Sequence, residues 1–307
     1  MSDAAASPAL TVWVVSDGKP GHLNQSLGLA EALARAAAST HHVVPALPAW
    51  RALLALLSKR FPGPALPAPD LVLGAGHATH LSLLAARRAA GGRAVVLMKP
   101  SLPRRCFDLC VVPRHDGLAA DARTLTTEGA LNRVRPATAR DPQRGLMLIG
   151  GVSKHFAWDD DAIQLQIRSI LARTPGVRWT LTTSRRTPAE FLRTLPPAAN
   201  LAVVAHADSG PDWLPAQLAA SGTAWVTPDS ASMVVEALSA GADVGVFDLP
   251  VNPKSRVGWA ISDLADAGRI TRFVRWCAHG TLYPNTEPLA EADRSAAWIL
   301  AWLKQKN

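Results

Sequence analysis

Short runs of uniformly apolar, often β-branched residues alternate along this chain with segments of helical periodicity. Strands that read apolar at every position are covered on both faces, because a strand with one wet face alternates apolar and polar residues. In the first half the expected strands are residues 10–16 (LTVWVVS), the run VVPAL, 71–76 (LVLGAG), 94–98 (AVVLM) and 108–113 (DLCVVP), with a helix over about 24–38. The segment 132–145 is polar, holds two prolines and lacks periodicity, so it reads as a linker. The rhythm then restarts. Strands are expected at 146–151, 178–183, 201–205, 223–227 and 243–247, helices near 159–173, 188–195, 211–221 and 229–240, and a last helix from about 289 to 304. The fold class is therefore α/β, with one α/β unit over 1–140 and a second over 141–307, the last helix being able to pack back on the first. Two such domains leave a cleft at the carboxyl ends of their sheets, where open α/β sheets bind ligands.

Composition narrows the classes. Of 307 residues, 48% are hydrophobic and 18% charged, which excludes a disordered tail protein and a coiled coil. Three cysteines without paired spacing exclude a disulfide scaffold, and Cys106 and Cys110 read as packing residues. No stretch approaches the roughly 18 apolar residues of a spanning helix, and the first ten residues lack the basic start and apolar run of a signal peptide, so a cytoplasmic location is expected. Charge is uneven: residues 1–144 hold 17 Lys and Arg against 9 Asp and Glu, whereas 145–307 hold 15 against 15. The basic half points to an anionic partner such as a phosphorylated lipid or a membrane surface. Nucleic acid is not expected, since aromatics are 6%, Tyr occurs once, and the basic residues form no recognised reading motif.

Chemistry belongs in the loops directly after strands, and four are unusual. The first is Ser16-Asp17-Gly18-Lys19-Pro20-Gly21-His22, where glycines permit close backbone approach and three ionisable side chains share one turn. It lacks the spacing of a nucleotide P-loop. The second, Gly74-Ala75-Gly76-His77-Ala78-Thr79-His80, lacks the third glycine of a dinucleotide fingerprint; its histidines read as structural or cleft-lining, with no acidic or Cys partner to complete a metal set. The third is Gly150-Gly151-Val152-Ser153-Lys154-His155, joined by Thr182-Thr183-Ser184-Arg185-Arg186-Thr187-Pro188, and suits a diphosphate held by backbone N–H groups and point charges. The fourth runs from Thr227-Pro228-Asp229-Ser230 through Ser232 and Met233 to Glu236; Asp229 or Ser230 can cap a helix, and Glu236 offers an acceptor for two ribose hydroxyls. Asp159 to Asp161 read as helix capping and not as a metal motif.

These stretches resemble the mitochondrial-fission (elongated-mitochondria) family and its bacterial, glycosyltransferase-like members. The resemblance is carried by Trp13 through His22, Asn24 through Leu29, Phe107-Asp108-Leu109, Val112 through Asp116, Gly129-Ala130-Leu131, Gly150-Gly151 with Ser153-Lys154, Thr182 through Pro188, and Thr227 through Ala237. It implies a GT-B-like pair of facing Rossmann-type domains and, through the bacterial members, a glycosyltransferase of surface glycolipids. More distantly, Gly21-His22 and the stretch from Ser230 to Glu236 are similar to bacterial lipid-linked N-acetylglucosaminyltransferases, which implies an acceptor base at His22 and a ribose contact at Glu236. Lys19-Pro20-Gly21 stands where those enzymes have Thr-Gly-Gly, which leaves Asp17 as the alternative base.

The expected activity is thus an inverting, metal-independent transfer of a sugar from a nucleotide-sugar to a lipopolysaccharide- or lipooligosaccharide-type precursor, with peripheral association at the inner face of the inner membrane. His22 or Asp17 is the catalytic base. Donor binding falls to Gly150, Gly151, Ser153, Lys154, Ser184, Arg185, Ser230, Ser232, Met233 and Glu236, and acceptor binding to Lys19, His77, Lys99 and Arg104. No metal site and no cofactor are expected, the nucleotide-sugar being substrate. The alternative is a non-catalytic GT-B-like scaffold that binds a partner or membrane. A sugar-nucleotide epimerase or dehydrogenase is disfavoured, because it needs a full dinucleotide fingerprint and a Tyr-x-x-x-Lys pair, and Glu287 stands four residues after Tyr283, the one tyrosine.

Overall fold

The computed structural model describes residues 9–210 and 212–305. The chain forms two compact units, Met1–Arg133 with Glu291–Asn307, and Val134–Ala290. The first ten residues, read above for a leader, and position 211, where a helix was expected to begin, fall wholly or largely outside the described residues.

In the first unit, β1 (Leu10–Ser16), β2 (Ser39–Pro45), β3 (Leu71–Ala75), β4 (Arg93–Leu97), β5 (Leu109–Pro113) and β6 (Thr124–Thr127) form a parallel sheet in the order β2-β1-β3-β4-β5-β6. The helices are α1 (Pro20–Ala36), α2 (Ala49–Ser58) and α3 (His80–Ala90). Alternate strand residues go to opposite faces, and both faces are covered. Val12, Val14, Leu71 and Leu73 pack with Leu29 and Leu33 of α1. Trp13, Val15, Val72 and Val96 pack with Leu83 and Ala86 of α3. Each fully buried Val or Leu contributes about 1.5 to 3 kcal/mol, which accounts for the unbroken apolar runs in sequence.

In the second unit, β7 (Asp141–Leu148), β8 (Arg178–Thr182), β9 (Leu201–Val204), β10 (Ser221–Val226), β11 (Asp243–Val246) and β12 (Thr271–Arg272) form a parallel sheet in the order β9-β8-β7-β10-β11-β12. Counted within the unit this is 3-2-1-4-5-6, the Rossmann order. Its helices are α4 (Asp160–Arg173), α5 (Ala189–Thr194), α6 (Trp213–Ala220), α7 (Ala231–Ala240), α8 (Arg256–Asp266) and α9 (Phe273–His279). Leu146, Leu148, Ala224 and Val226 meet Val234 and Leu238 of α7 on one face. Met147, Ile149 and Trp225 meet Ile163, Ile167 and Ile170 of α4 on the other. Asp159 caps α4, its carboxylate accepting from Ala162 N at 3.0 Å.

The last helix, α10 (Glu291–Gln305), returns to the first unit, where Ala296, Ile299 and Trp302 join its core and Asp293 pairs with Arg35 at 2.6 Å. The division at Arg133 and Val134 lies ahead of residue 140, and residues 141–144 open β7 where a linker was expected. They read as loop because they are polar and only partly covered, while the apolar burial of β7 begins at Gly145.

Candidate functional site

In each sheet the strand order reverses between two neighbours, and the crevice at such a reversal is where open α/β sheets bind ligands. In the first unit the reversal lies between β1 and β3, and the loops that follow them are the first and second of the four unusual loops. His22 Nδ1 lies 2.9 Å from Asp17 Oδ2, and the Asp17 side chain is only 5% exposed. Burial alone would raise the Asp17 carboxyl. The hydrogen bond from His22, the backbone N–H of Lys19 and the charges of His22 and Lys19 outweigh that effect and hold it below its ordinary value. An ionised carboxylate here fixes the proton of His22 on Nδ1 and leaves Nε2 as the basic nitrogen. Gly76 forms the floor under the ring: its φ is +82°, and a Cβ there would collide with His22 Cε1 and Nδ1. Lys19 Nζ is 3.9 Å from Asp17 Oδ2 and exposed.

The remaining first-unit candidates separate. His77 is exposed beside the Gly76 turn. His80 is buried, bonded through Nδ1 to Ser101 Oγ at 3.2 Å and set edge-on to Phe107; burial first, then the charge of His77, lowers its pKa, as befits a structural histidine. Lys99 follows β4 and is tethered by its Nζ to Asp116 O at 3.1 Å. Met98, just before it, holds φ +71° and takes a 3.6 Å contact on Sδ from Gln25 Nε2. Arg104 does not join this group. It is paired with Asp121 at 2.6 Å and with Thr124 Oγ1, the first residue of β6, at the amino ends of the strands. The physical reason is that parallel strands oblige the chain to return from the carboxyl end of β4 to the amino end of β5, so a loop that begins at the ligand side finishes opposite it. Cys110 is buried and its thiol pushed up to about 11 by that burial, whereas Cys106 is only partly covered.

In the second unit the reversal lies between β7 and β10, so the third and fourth loops flank it. The glycines here hold the loops together. Gly150 N donates to Thr227 Oγ1 at 2.7 Å and Gly151 N to Asp229 Oδ2 at 3.0 Å, so neither N–H is open to a diphosphate as expected from sequence. A Cβ on Gly150 would strike the Asp229 carboxylate, and one on Gly151 would strike the carbonyl of Arg186. Arg186, and not its neighbour Arg185, is drawn in: its guanidinium pairs with Asp229 at 2.7 Å and donates to the carbonyls of Gly151 and Val152. Ser184 Oγ donates to Gly150 O at 2.8 Å, which also makes it a loop strut. Ser153 Oγ accepts from His155 N at 3.2 Å. Lys154 and Arg185 are exposed, and among the described residues neither side chain has an ion-pair partner.

Ser230 begins α7 without a side-chain cap. No Ser230 side-chain cap therefore closes the first-turn N–H groups of that helix. Ser232 and Met233 lie one turn before Glu236 on the same face of α7. Glu236 keeps a partly exposed surface while its carboxyl is surrounded by protein, and burial pushes it up to about 7. His155 is a further candidate. Its Nδ1 is 3.0 Å from Ser255 Oγ, the cap of α8, and burial, then the charges of Lys154 and Arg186, lower its pKa. Nothing in the sequence marks His155 or Arg186 over their neighbours, because both roles come from contacts with residues 34 or more positions away. Among the described residues no group of three or more His, Cys, Asp or Glu is placed to hold a metal ion, and no helix is long and apolar enough to cross a membrane.

The family model described as Mitochondrial fission ELM1 matches residues 20–303. No curated protein matches the sequence. Among solved structures, Acinetobacter baumannii MurG is 14% identical over 97% of this chain and 100% of its own, with a TM-score of 0.51. The glycotransferase of kitacinnamycin is 15% identical over 97% and 100%, at 0.53. The UDP-GlcNAc 2-epimerase of Neisseria meningitidis, bound to UDP-GlcNAc, is 12% identical over 98% and 100%, at 0.58. At such identities the likeness is one of fold, the GT-B-like pairing of two Rossmann-type units.

Proposed function

We propose that this chain, which belongs to the mitochondrial fission ELM1 family, transfers a sugar from a nucleotide-sugar held by the second unit to an acceptor hydroxyl activated by the first. The observation that carries this reading is the Asp17–His22 pair at the strand reversal of the first unit. His22 Nε2 removes the acceptor proton as the acceptor oxygen attacks the anomeric carbon. The bond from that carbon to the diphosphate breaks, and the nucleoside diphosphate departs with the electron pair. The proton stays on His22, whose positive ring is stabilised by the Asp17 carboxylate. The first-turn N–H groups of α7, with Lys154 and Arg185, meet the charge on the leaving diphosphate, and Glu236 accepts from the ribose hydroxyls. One displacement inverts the anomeric centre. Asp17 is thus a positioning residue and His22 the base. Lys19, His77 and Lys99, with the basic balance of the first unit, suit an anionic glycolipid acceptor of the lipopolysaccharide type, met at the cytoplasmic face of the inner membrane.

A thermal-shift series over nucleoside diphosphates, with UDP and UDP-GlcNAc as first probes, tests donor binding. A ligand at 100 times its dissociation constant adds about 2.7 kcal/mol of stability. A chain that shifts with no nucleotide is not a transferase of this kind and fits the scaffold reading. Because the diphosphate charge is assigned to N–H groups and basic side chains, turnover is expected to survive EDTA. Loss on chelation with recovery in Mg²⁺ or Mn²⁺ contradicts the metal-independent scheme. A second reading, epimerisation of the nucleotide-sugar, is favoured by the fold likeness to the Neisseria meningitidis enzyme. Conversion of UDP-GlcNAc without any acceptor, followed by NMR of the sugar protons, selects it.

A further inference from the structure

Helix α2 is built inside out. Its buried side chains are the small ones, Ala52 and Ala55, and they seat it on α3. Its large apolar residues face outward: Trp50, Leu53, Leu54 and Leu57 are 60, 49, 57 and 69% exposed. They stand at i, i+3, i+4 and i+7 and so form one continuous ridge. Scattered exposed leucines are ordinary, but four large apolar side chains on one face of a ten-residue helix mark an interaction surface.

The charges beside the ridge specify the partner. Arg51, Lys59 and Arg60 are exposed around it, with the Arg51 guanidinium 5.0 Å from the Trp50 ring centre. No Asp or Glu occurs anywhere from residue 32 to residue 69. The whole first unit carries 17 Lys and Arg against 10 Asp and Glu, while the second carries 15 against 14. We propose that α2 docks the protein on an anionic lipid surface. The apolar ridge enters the headgroup region, and the three basic residues meet lipid phosphates. A second copy of this chain would bring the same positive charge to the ridge, which disfavours self-association there.

The ridge is also joined to the candidate site. Ala46 N, in the turn leading to α2, donates to Ser16 O at 2.7 Å, one residue before Asp17. Docking through α2 therefore holds the Asp17–His22 loop near the bilayer, where a lipid-borne acceptor would be met. That use rests on the transferase reading, whereas the docking itself does not.

Flotation of the full chain with phosphatidylglycerol-containing vesicles, against pure phosphatidylcholine, tests the proposal. Binding to the anionic vesicles is expected to fall by about 10-fold or more in Leu54→Ser/Leu57→Ser and in Arg51→Glu/Lys59→Glu/Arg60→Glu. Binding by the parent chain is expected to weaken as salt rises, since exposed charges are screened beyond about 8 Å at physiological ionic strength. The replaced side chains lie outside the core, so thermal midpoint and nucleotide shifts should match the parent, which separates lost docking from lost donor binding. No flotation by the parent chain, equal flotation of parent and variants, or equal binding to neutral vesicles overturns the proposal. So does a concentration-dependent dimer in light scattering that the leucine substitutions abolish, because the ridge then belongs to a second copy.

Discussion

His22→Ala is expected to lower turnover by about 10²- to 10⁴-fold while leaving nucleotide affinity and thermal midpoint unchanged, the range spanned by removal of a general base. The ring is only partly covered and lies in the first turn of α1, so its loss opens no core cavity. Two companion substitutions separate a base from a passive contact. Asp17→Asn keeps the shape of the partner but removes the charge and can present an N–H to Nδ1, which moves the ring proton to Nε2 and blocks the basic nitrogen; a loss of about 10²-fold or more in kcat with little change in KM is expected. Gly76→Ala leaves both polar groups in place and pushes a methyl into the His22 ring, with an unfavourable φ of +82° for alanine. Turnover should fall there too, although no titratable group has changed. Full activity in His22→Ala removes the base assignment whatever the other two do, and full activity in Asp17→Asn alone leaves His22 as a base that needs no carboxylate partner.

The central strands are readable because they are buried on both faces, so burial itself writes an apolar run into the sequence, whereas the edge strands β2 and β9 are only partly covered. Residues 71–75 and 109–113 are buried at every position. The loops were readable for the related reason that polar and Gly residues directly after such runs have no core to serve. Contacts across the sheet were not. Asp17 and His22 leave the choice of base open in sequence, and the division of roles proposed above rests on their 2.9 Å contact, which spacing alone does not reveal. Gly150 and Gly151 look like phosphate-binding glycines, yet their N–H groups close on Thr227 and Asp229, residues 77 and 78 positions away. Arg104 follows Lys99 closely in the chain but ends at the opposite, amino end of the strands, since crossover direction is a property of the sheet and not of the loop. The apolar residues of α2 carry the i, i+3, i+4, i+7 spacing of an amphipathic helix, but periodicity is blind to which face is covered, so only the structure shows that this ridge faces solvent.

Glu236 is the position where binding and stability should move in opposite directions. Burial lifts its carboxyl from 4.5 to about 7. The folded chain therefore holds this proton more tightly than the unfolded chain does. Between about pH 4.5 and 7 the folded state binds more protons, so this group's contribution favours folding fully below 4.5 and is lost as pH rises through 7. A shift of this size corresponds to roughly 3 kcal/mol. Glu236→Gln removes the buried charge while keeping the shape. It is expected to be more stable than the parent at pH 8 by up to about 3 kcal/mol and equal to it below pH 4.5, read from denaturant midpoints at the two pH values. Nucleotide binding should respond the other way. An ionised carboxylate accepts from both ribose hydroxyls, and a protonated one accepts less well, so affinity for UDP should rise with pH up to about 7 and level off above it. In Glu236→Gln that dependence should vanish and affinity at pH 8 should drop by about 1.5 to 3 kcal/mol, the range for hydrogen bonds to a charged group. Calorimetric titration at pH 6 and 8 decides the matter. A variant that gains stability and binds UDP as the parent does would show that Glu236 is a buried carboxyl with no part in holding the donor. A variant that loses affinity without gaining stability would show that the carboxylate is already ionised below pH 7 in the free protein, and that it holds the ribose without the rise in pKa that burial brings.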